Sequence, residues 1–145
     1  MPVFIRFLAA ASYICPHAEK FLAPTSIRLR FDIPKTIPDT PLSAVLRHHL
    51  FRCVQESLNN SVRHAFADEI RITVRIDASE LEIIIKDNGV GFNNHPKEQS
   101  NGLGRNNLRE RMNEIEGTIE WTDESDKGCT VRIRVHLMDN SSKRK

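Results

Sequence analysis

At 145 residues, 39% hydrophobic and 28% charged with a formal net charge of +2, the chain has the composition of one soluble domain able to bury a normal core. Its charges are mixed in sign along the chain, so no general affinity for nucleic acid or a membrane surface is implied; only Lys143, Arg144 and Lys145 form a purely basic run. Cys15, Cys53 and Cys129 are odd in number, far apart and without CxxC spacing, which argues against a disulfide framework or a zinc site and fits a reducing cytoplasm.

The opening stretch Val3 to Leu22 has helical spacing of apolar residues, with Pro16 dividing it. Its apolar part, Val3 to Cys15, is interrupted by Arg6, falls short of the roughly 20 residues needed to span a bilayer and reads as a packed helix; the small residues Ala9 to Ser12 leave a cleaved leader as the alternative. Ile27, Leu29, Phe31 and Ile33 alternate with charged residues and predict a half-buried strand. Pro34 to Pro41 holds three prolines and reads as a connector, after which Ser43 is a candidate N-cap. From Ala44 to Ala67, Leu46, Leu50, Cys53, Val54, Leu58, Val62 and Ala65 recur at helical spacing and predict one long amphipathic helix.

Ile70 to Ala78 and Leu81 to Lys86, separated by Ser79 and Glu80, predict an antiparallel hairpin. Asn93 to Asn101 is polar, contains Pro96 and lacks periodicity, the composition of a lid loop. After Gly104, Leu108, Met112 and Ile115 predict a short helix ending at Gly117, followed by strands over Thr118 to Thr122 and Cys129 to Leu137. The expected division is a helical segment over 1–24, one domain over 25–138 and a frayed polar tail over 139–145.

Three polar islands interrupt this pattern: QESLNN at 55–60, DNGVGF at 87–92 and NGLGRNN at 101–107. Glu56 and Asn60 are four apart and share a helix face, with Arg63 and His64 near the same edge one turn later. Asn60 offers a neutral amide oxygen to a magnesium ion, which takes one or two protein oxygens besides phosphates and water. Glu56 can polarise a metal-bound water or accept a proton; a polar helix face in solvent is the plainer reading of both.

Asp87 ends an apolar strand beside Gly89 and Gly91, where backbone can approach a flat ligand closely and the carboxylate can accept an exocyclic amine; an ordinary Asp-Asn-Gly turn is the competing reading. Gly102, Leu103 and Gly104 stand just before a predicted helix, where free amides and the helix dipole favour phosphate oxygens, and Arg105 adds a cation. His48, His49 and Trp121 are most simply surface or packing residues.

These islands, in this order, resemble the GHKL group of ATP-binding domains, which includes gyrase, a heat-shock chaperone, MutL and histidine kinases. QESLNNSVRHA is similar to that group's N box, DNGVGF to its first glycine box and NGLGRNNLRERM to its second. The Arg-Glu-Arg ending at Arg111 resembles the sensor histidine kinases paired with helix-turn-helix (NarL-type) response regulators.

The resemblance implies a two-layer α/β sandwich of the Bergerat type, a mixed sheet with helices on one face, binding ATP and Mg2+. It implies Asn60 as the magnesium ligand, Glu56 as the N-box glutamate and Asp87 as the adenine-binding aspartate. Gly89, Gly91, Gly102, Leu103, Gly104 and Arg105 would border the nucleotide, with Arg63 and His64 near phosphate. Two positions depart from the family: Glu116 replaces the first residue of a usual Gly-Gly, and Cys129 replaces a Thr whose hydroxyl helps bind the adenine region. Thr130 or a water would then stand in for that hydroxyl, and altered adenine contacts are expected.

No segment resembles the family's helical hairpin with its phosphoacceptor histidine. The implied function is therefore the ATP-handling half of a cytoplasmic two-component kinase. It would be monomeric in isolation, acting on a histidine of a separate or upstream dimerisation domain and, through it, on a response regulator. An anti-sigma-type serine kinase and a nucleotide-gated interaction module of the same fold are the alternatives.

Overall fold

The computed structural model describes residues 18–34, 43–65, 67–77, 79–89, 99–124 and 128–137, except the side chains of 64, 65, 99–104, 123 and 124. Residues 18–22 are helical; the rest of the predicted first helix, most of the proline-rich connector, 93–98 of the lid and the tail lie outside the described residues. The elements in order are β1 (Arg28–Asp32), α1 (Ala44–Asn60), a π-helical turn (Ser61–Ala65), β2 (Glu69–Ile76), β3 (Glu80–Asp87), α2 (Gln99–Asn113), β4 (Gly117–Glu124) and β5 (Gly128–His136).

The strands form one sheet in the order β1-β2-β3-β5-β4. β1 pairs parallel with β2, with α1 between them in sequence, and every other pairing is antiparallel. Alternation sends Ile70, Ile72, Leu81, Ile83, Ile85, Val131, Ile133 and Val135 to one face, where they share a core with Leu50, Val54 and Leu58 of α1 and Leu108 and Met112 of α2. The other face is charged: Glu82 meets Arg134 at 2.8 Å and Arg132 at 3.4 Å, and Glu69 meets Arg30 at 2.8 Å. The result is the expected two-layer α/β sandwich with a mixed sheet.

Ser43 caps α1, its hydroxyl accepting from the Leu46 amide at 3.0 Å. The buried stripe of α1 is Leu46, His49, Leu50, Cys53, Val54, Ser57 and Leu58, spaced to keep one face inward. His49 and Ser57 belong to this buried stripe, so His49 is a helix-packing residue.

The hairpin strand β2 stops at Ile76, short of the expected Ala78, because Asp77 turns to cap the connection. Its Oδ1 accepts from the amides of Ser79 and Glu80, both at 2.8 Å. These bonds hold the Asp77 carboxyl below its ordinary range.

The largest departure is the start of α2. A helix was expected after Gly104, yet α2 begins at Gln99 and contains Gly102, Leu103 and Gly104. Each glycine disfavours helix by about 1 kcal/mol, but extending an existing helix adds a hydrogen bond per residue without a new nucleus. The helix ends with Arg111 in its last turn, and Glu116 follows with φ 56°, the left-handed conformation that glycine normally supplies.

Candidate functional site

Helix direction places the site. The C-terminus of α1 abuts the end of β3, where the Ser61 hydroxyl donates to Asp87 Oδ2 at 3.0 Å. At its other end, His49 of α1 meets Arg111 and Glu114 beyond the middle of α2. α2 leads into Gly117, which pairs with Val135 at the far end of the sheet, while Arg105 earlier in α2 lies over Trp121, which pairs with Val131 nearer Asp87. The two helices thus run antiparallel, with the start of α2 toward the Asp87 end. Glu56 and Asn60, both half-buried in the last turns of α1, come toward that same end.

Asp87 is only 3% exposed, and a carboxylate so buried needs donors on both oxygens. Oδ1 accepts from the amides of Gly89 at 3.0 Å and Cys129 at 3.1 Å, while Oδ2 accepts from Ser61. A carboxylate offers about four lone-pair positions, so three protein donors leave Oδ2 with capacity for one more. A ligand N–H, such as an exocyclic amine, is the complementary group.

Two glycines make this arrangement possible. Gly89 supplies an amide in a tight Asx turn. Gly128 has φ +98°, and a Cβ there would collide with the Asp87 carbonyl oxygen and lie 2.8 Å from Oδ1. Neighbouring Asn88 has a structural task, its Oδ1 accepting from the amides of Asp68 at 2.8 Å and Glu69 at 3.0 Å, which ties the start of β2 to the end of β3.

Several expected site residues sit differently from the reading of the sequence. Thr130 follows buried Cys129 and precedes buried Val131, and it pairs with exposed Lys86, so strand alternation puts its hydroxyl on the outer face. Thr130 cannot supply the hydroxyl missing at Cys129; Ser61, which the sequence reading passed over, supplies one to Asp87. Its signal was a small polar residue at a core position, four after buried Ser57.

Glu116, the other departure from the family, lies away from Asp87. Gly117 pairs with Val135, whereas Cys129 sits beside Asp87; six residues of β5 separate these levels, about 20 Å at strand rise.

Arg105 lies with its guanidinium carbon 4.9 Å from the Trp121 ring centroid, and Arg109, one turn on, is at 5.1 Å. Its charge thus packs the outer part of α2 onto β4. Arg63 is exposed on the π-helical turn, a feature that interrupts α-helical spacing just past Asn60. The side chain of His64, and Gly91 entirely, lie outside the described residues. Within α2 the amides of Leu103 and Gly104 fall past the four orphan donors of a helix starting at Gln99, so the free-amide reading of those two is corrected in this conformation.

No cluster of three His, Cys, Asp or Glu side chains is present among the described residues. A lone amide with one carboxylate a turn away suits an ion completed by phosphates and water, and does not suit a protein-only cage. No helix among the described residues is long and apolar enough to cross a membrane.

Comparison with known proteins agrees with this geometry. The family model described as histidine kinase-, DNA gyrase B-, and HSP90-like ATPase matches residues 46–139. Sensor histidine kinase LiaS of Bacillus subtilis is 38% identical over 106 residues, covering 73% of this chain and 29% of that protein. Sensor protein VraS of Staphylococcus epidermidis is 36% identical over 115 residues, 77% of this chain and 30% of that protein. The nitrate/nitrite sensor protein NarQ of Escherichia coli is 33% identical over 110 residues, 75% of this chain and 19% of that protein. The chain thus spans about a third or less of the length of these curated relatives.

Among solved structures, the histidine kinase domain of the Erythrobacter litoralis EL346 blue-light activated histidine kinase matches with a TM-score of 0.71 at 17% identity, over 88% of this chain and 61% of that one. Acinetobacter baumannii histidine kinase AdeS matches with a TM-score of 0.69 at 16% identity, over 92% of this chain and 66% of that one. These likenesses show the fold, and the match over residues 46–139 shows the family: the chain belongs to the histidine kinase-, DNA gyrase B- and HSP90-like ATPases.

Proposed function

We propose that this domain binds Mg-ATP between the C-terminal half of α1, the end of β3 and the start of α2, and presents the γ-phosphate to a histidine on a dimerisation domain of a two-component sensor kinase. The observation that carries the reading is the buried Asp87 carboxylate, held by three protein donors with an acceptor position left over. That acceptor would read the adenine amine. Family membership and resemblance to sensor kinases such as LiaS and VraS support the phosphoryl-transfer assignment.

In this reading Asn60 would hold a magnesium ion, which would supply charge neutralisation at the phosphates. Glu56, one turn earlier on the same face, would orient the attacking nitrogen and accept its proton. Gly102, Leu103 and Gly104 border the phosphates with Arg63 and His64, and Gly89 and Gly91 line the adenine side. The chain's part in the chemistry is orientation and charge neutralisation, which suits a reaction with little covalent work for the protein. The acceptor domain passes the phosphoryl group to a NarL-type response regulator in the cytoplasm, and the isolated domain is monomeric.

The test is calorimetric titration of Mg-ATP into the purified chain and into Asp87→Asn, followed by assay of both with a supplied histidine domain and regulator. Saturable binding that EDTA removes and the variant lacks, with phosphohistidine formed only by the native chain, supports the reading. Absence of binding to the native chain, or acid-stable phosphoserine on the partner, overturns it.

A further inference from the structure

At the end of the α1–α2 pair away from Asp87, buried His49 joins the two helices. An Arg111 guanidinium nitrogen lies 3.3 Å from His49 Nδ1, and Glu114 Oε2 lies 3.2 Å from Nε2. Arginine has donors and no acceptor, so Nδ1 must accept and the proton must sit on Nε2, which then donates to Glu114. One imidazole thus fixes two residues from the end of α2 and just beyond it, and both ring nitrogens are used.

The lever arm follows from helix geometry. Asn60 is eleven residues from His49, about 16 Å along α1 at 1.5 Å per residue, and the start of α2 lies a similar distance from Arg111 on the antiparallel helix. A small rotation of α2 about its pinned end becomes a displacement of ångströms at Gly102 and Gly104, the segment that faces the phosphates if the proposed function holds. Trp121, stacked by Arg105 and Arg109, restrains α2 along β4. The His49 contacts are polar bonds that join α1 to the α2 end.

We propose that His49 and Arg111 are positioning residues, a pin at the closed end of the α1–α2 pair that sets how far the phosphate side of the nucleotide site lies from Asn60. Neither touches the nucleotide. The inference rests on the Mg-ATP reading of that site and predicts an effect on phosphate recognition without one on adenine recognition.

The experiment measures binding of Mg-ATP and of adenosine, separately, to the native chain, His49→Leu, His49→Gln and Arg111→Gln. Leu fills the buried position and removes both bonds; the Gln amide offers an acceptor and a donor in its place. The expected result is a loss of about tenfold in Mg-ATP affinity for His49→Leu, the scale of one buried hydrogen bond to a charged group. Adenosine affinity should stay within twofold, and His49→Gln should recover most of the loss. Arg111→Gln, at a half-buried position, should show the same selective loss and stands in if His49→Leu does not fold.

Equal weakening of both ligands, no weakening, or failure of Gln to rescue overturns the pin while leaving the proposed nucleotide site intact. If the native chain binds adenosine and Mg-ATP with equal affinity, phosphate is not recognised and both readings fall.

Discussion

The hydroxyl of Ser61 donates to the carboxylate of Asp87 across 26 residues of sequence, tying the first residue past α1 to the last residue of β3. Removing it leaves one oxygen of a buried carboxylate with no protein donor. Ser61→Ala should lower stability by about 1.5–3 kcal/mol, the range for a hydrogen bond to a charged group. Denaturant unfolding reads this directly, and Mg-ATP affinity should fall with it, because Asp87 loses its alignment. An unchanged unfolding midpoint would show the bond to be dispensable.

Gly128 is constrained twice, by its φ of +98° and by the Asp87 carbonyl lying where a Cβ would go. Backbone must move to admit any side chain, and the backbone that moves carries Asp87. Gly128→Ala should destabilise by about 2 kcal/mol or more and abolish nucleotide binding, measured by thermal unfolding and calorimetry. Gly117→Ala serves as the comparison: its Cβ would meet Met112 Cε at 2.6 Å and the Arg134 carbonyl at 2.8 Å, at the far end of the sheet. It should cost stability while the folded fraction still binds.

Glu116 occupies a left-handed conformation, φ 56°, at the turn from α2 to β4. Replacing it with glycine relieves the steric penalty, and the expected gain is about 1 kcal/mol, offset in part by the greater freedom of the unfolded glycine. Mg-ATP affinity should not change, since the turn lies far from Asp87. A Glu116→Gly chain that binds nucleotide more tightly without being more stable would contradict the placement.

Burial pushes the Cys53 thiol up to about 12; nearby Arg111 acts in the opposite direction and Glu56 in the same one. The folded state holds this proton more tightly than the unfolded chain, whose thiol sits near 9.0, so the contribution to stability is complete below pH 9 and is lost as pH rises toward 12. Cys129 is buried as well. A thiol reagent at pH 8 should therefore modify neither Cys53 nor Cys129 until the chain unfolds, with mass spectrometry assigning the sites. Rapid native-state labelling of Cys53 would mean that α1 opens locally.

What the sequence determined by itself was local and periodic. Helical spacing from Leu46 to Leu58 specified α1, alternation along Ile70 to Lys86 specified the hairpin, and Ser43 marked a cap, because each pattern is written within a few residues of where it acts. The order of the three polar islands pointed to the family that the match over residues 46–139 then showed. The tertiary structure decided what depends on residues distant in the chain. It chose Ser61 over Thr130 as the hydroxyl near Asp87, because strand parity put Thr130 on the outer face and a helix end brought Ser61 across. It moved Glu116 to the opposite end of the sheet, began α2 at Gln99 because helix growth outweighed two glycines, and made His49 a bridge between helices. Propensity and periodicity act over one or two turns; which side chains meet is set by how the layers pack, and no short stretch of sequence contains that information.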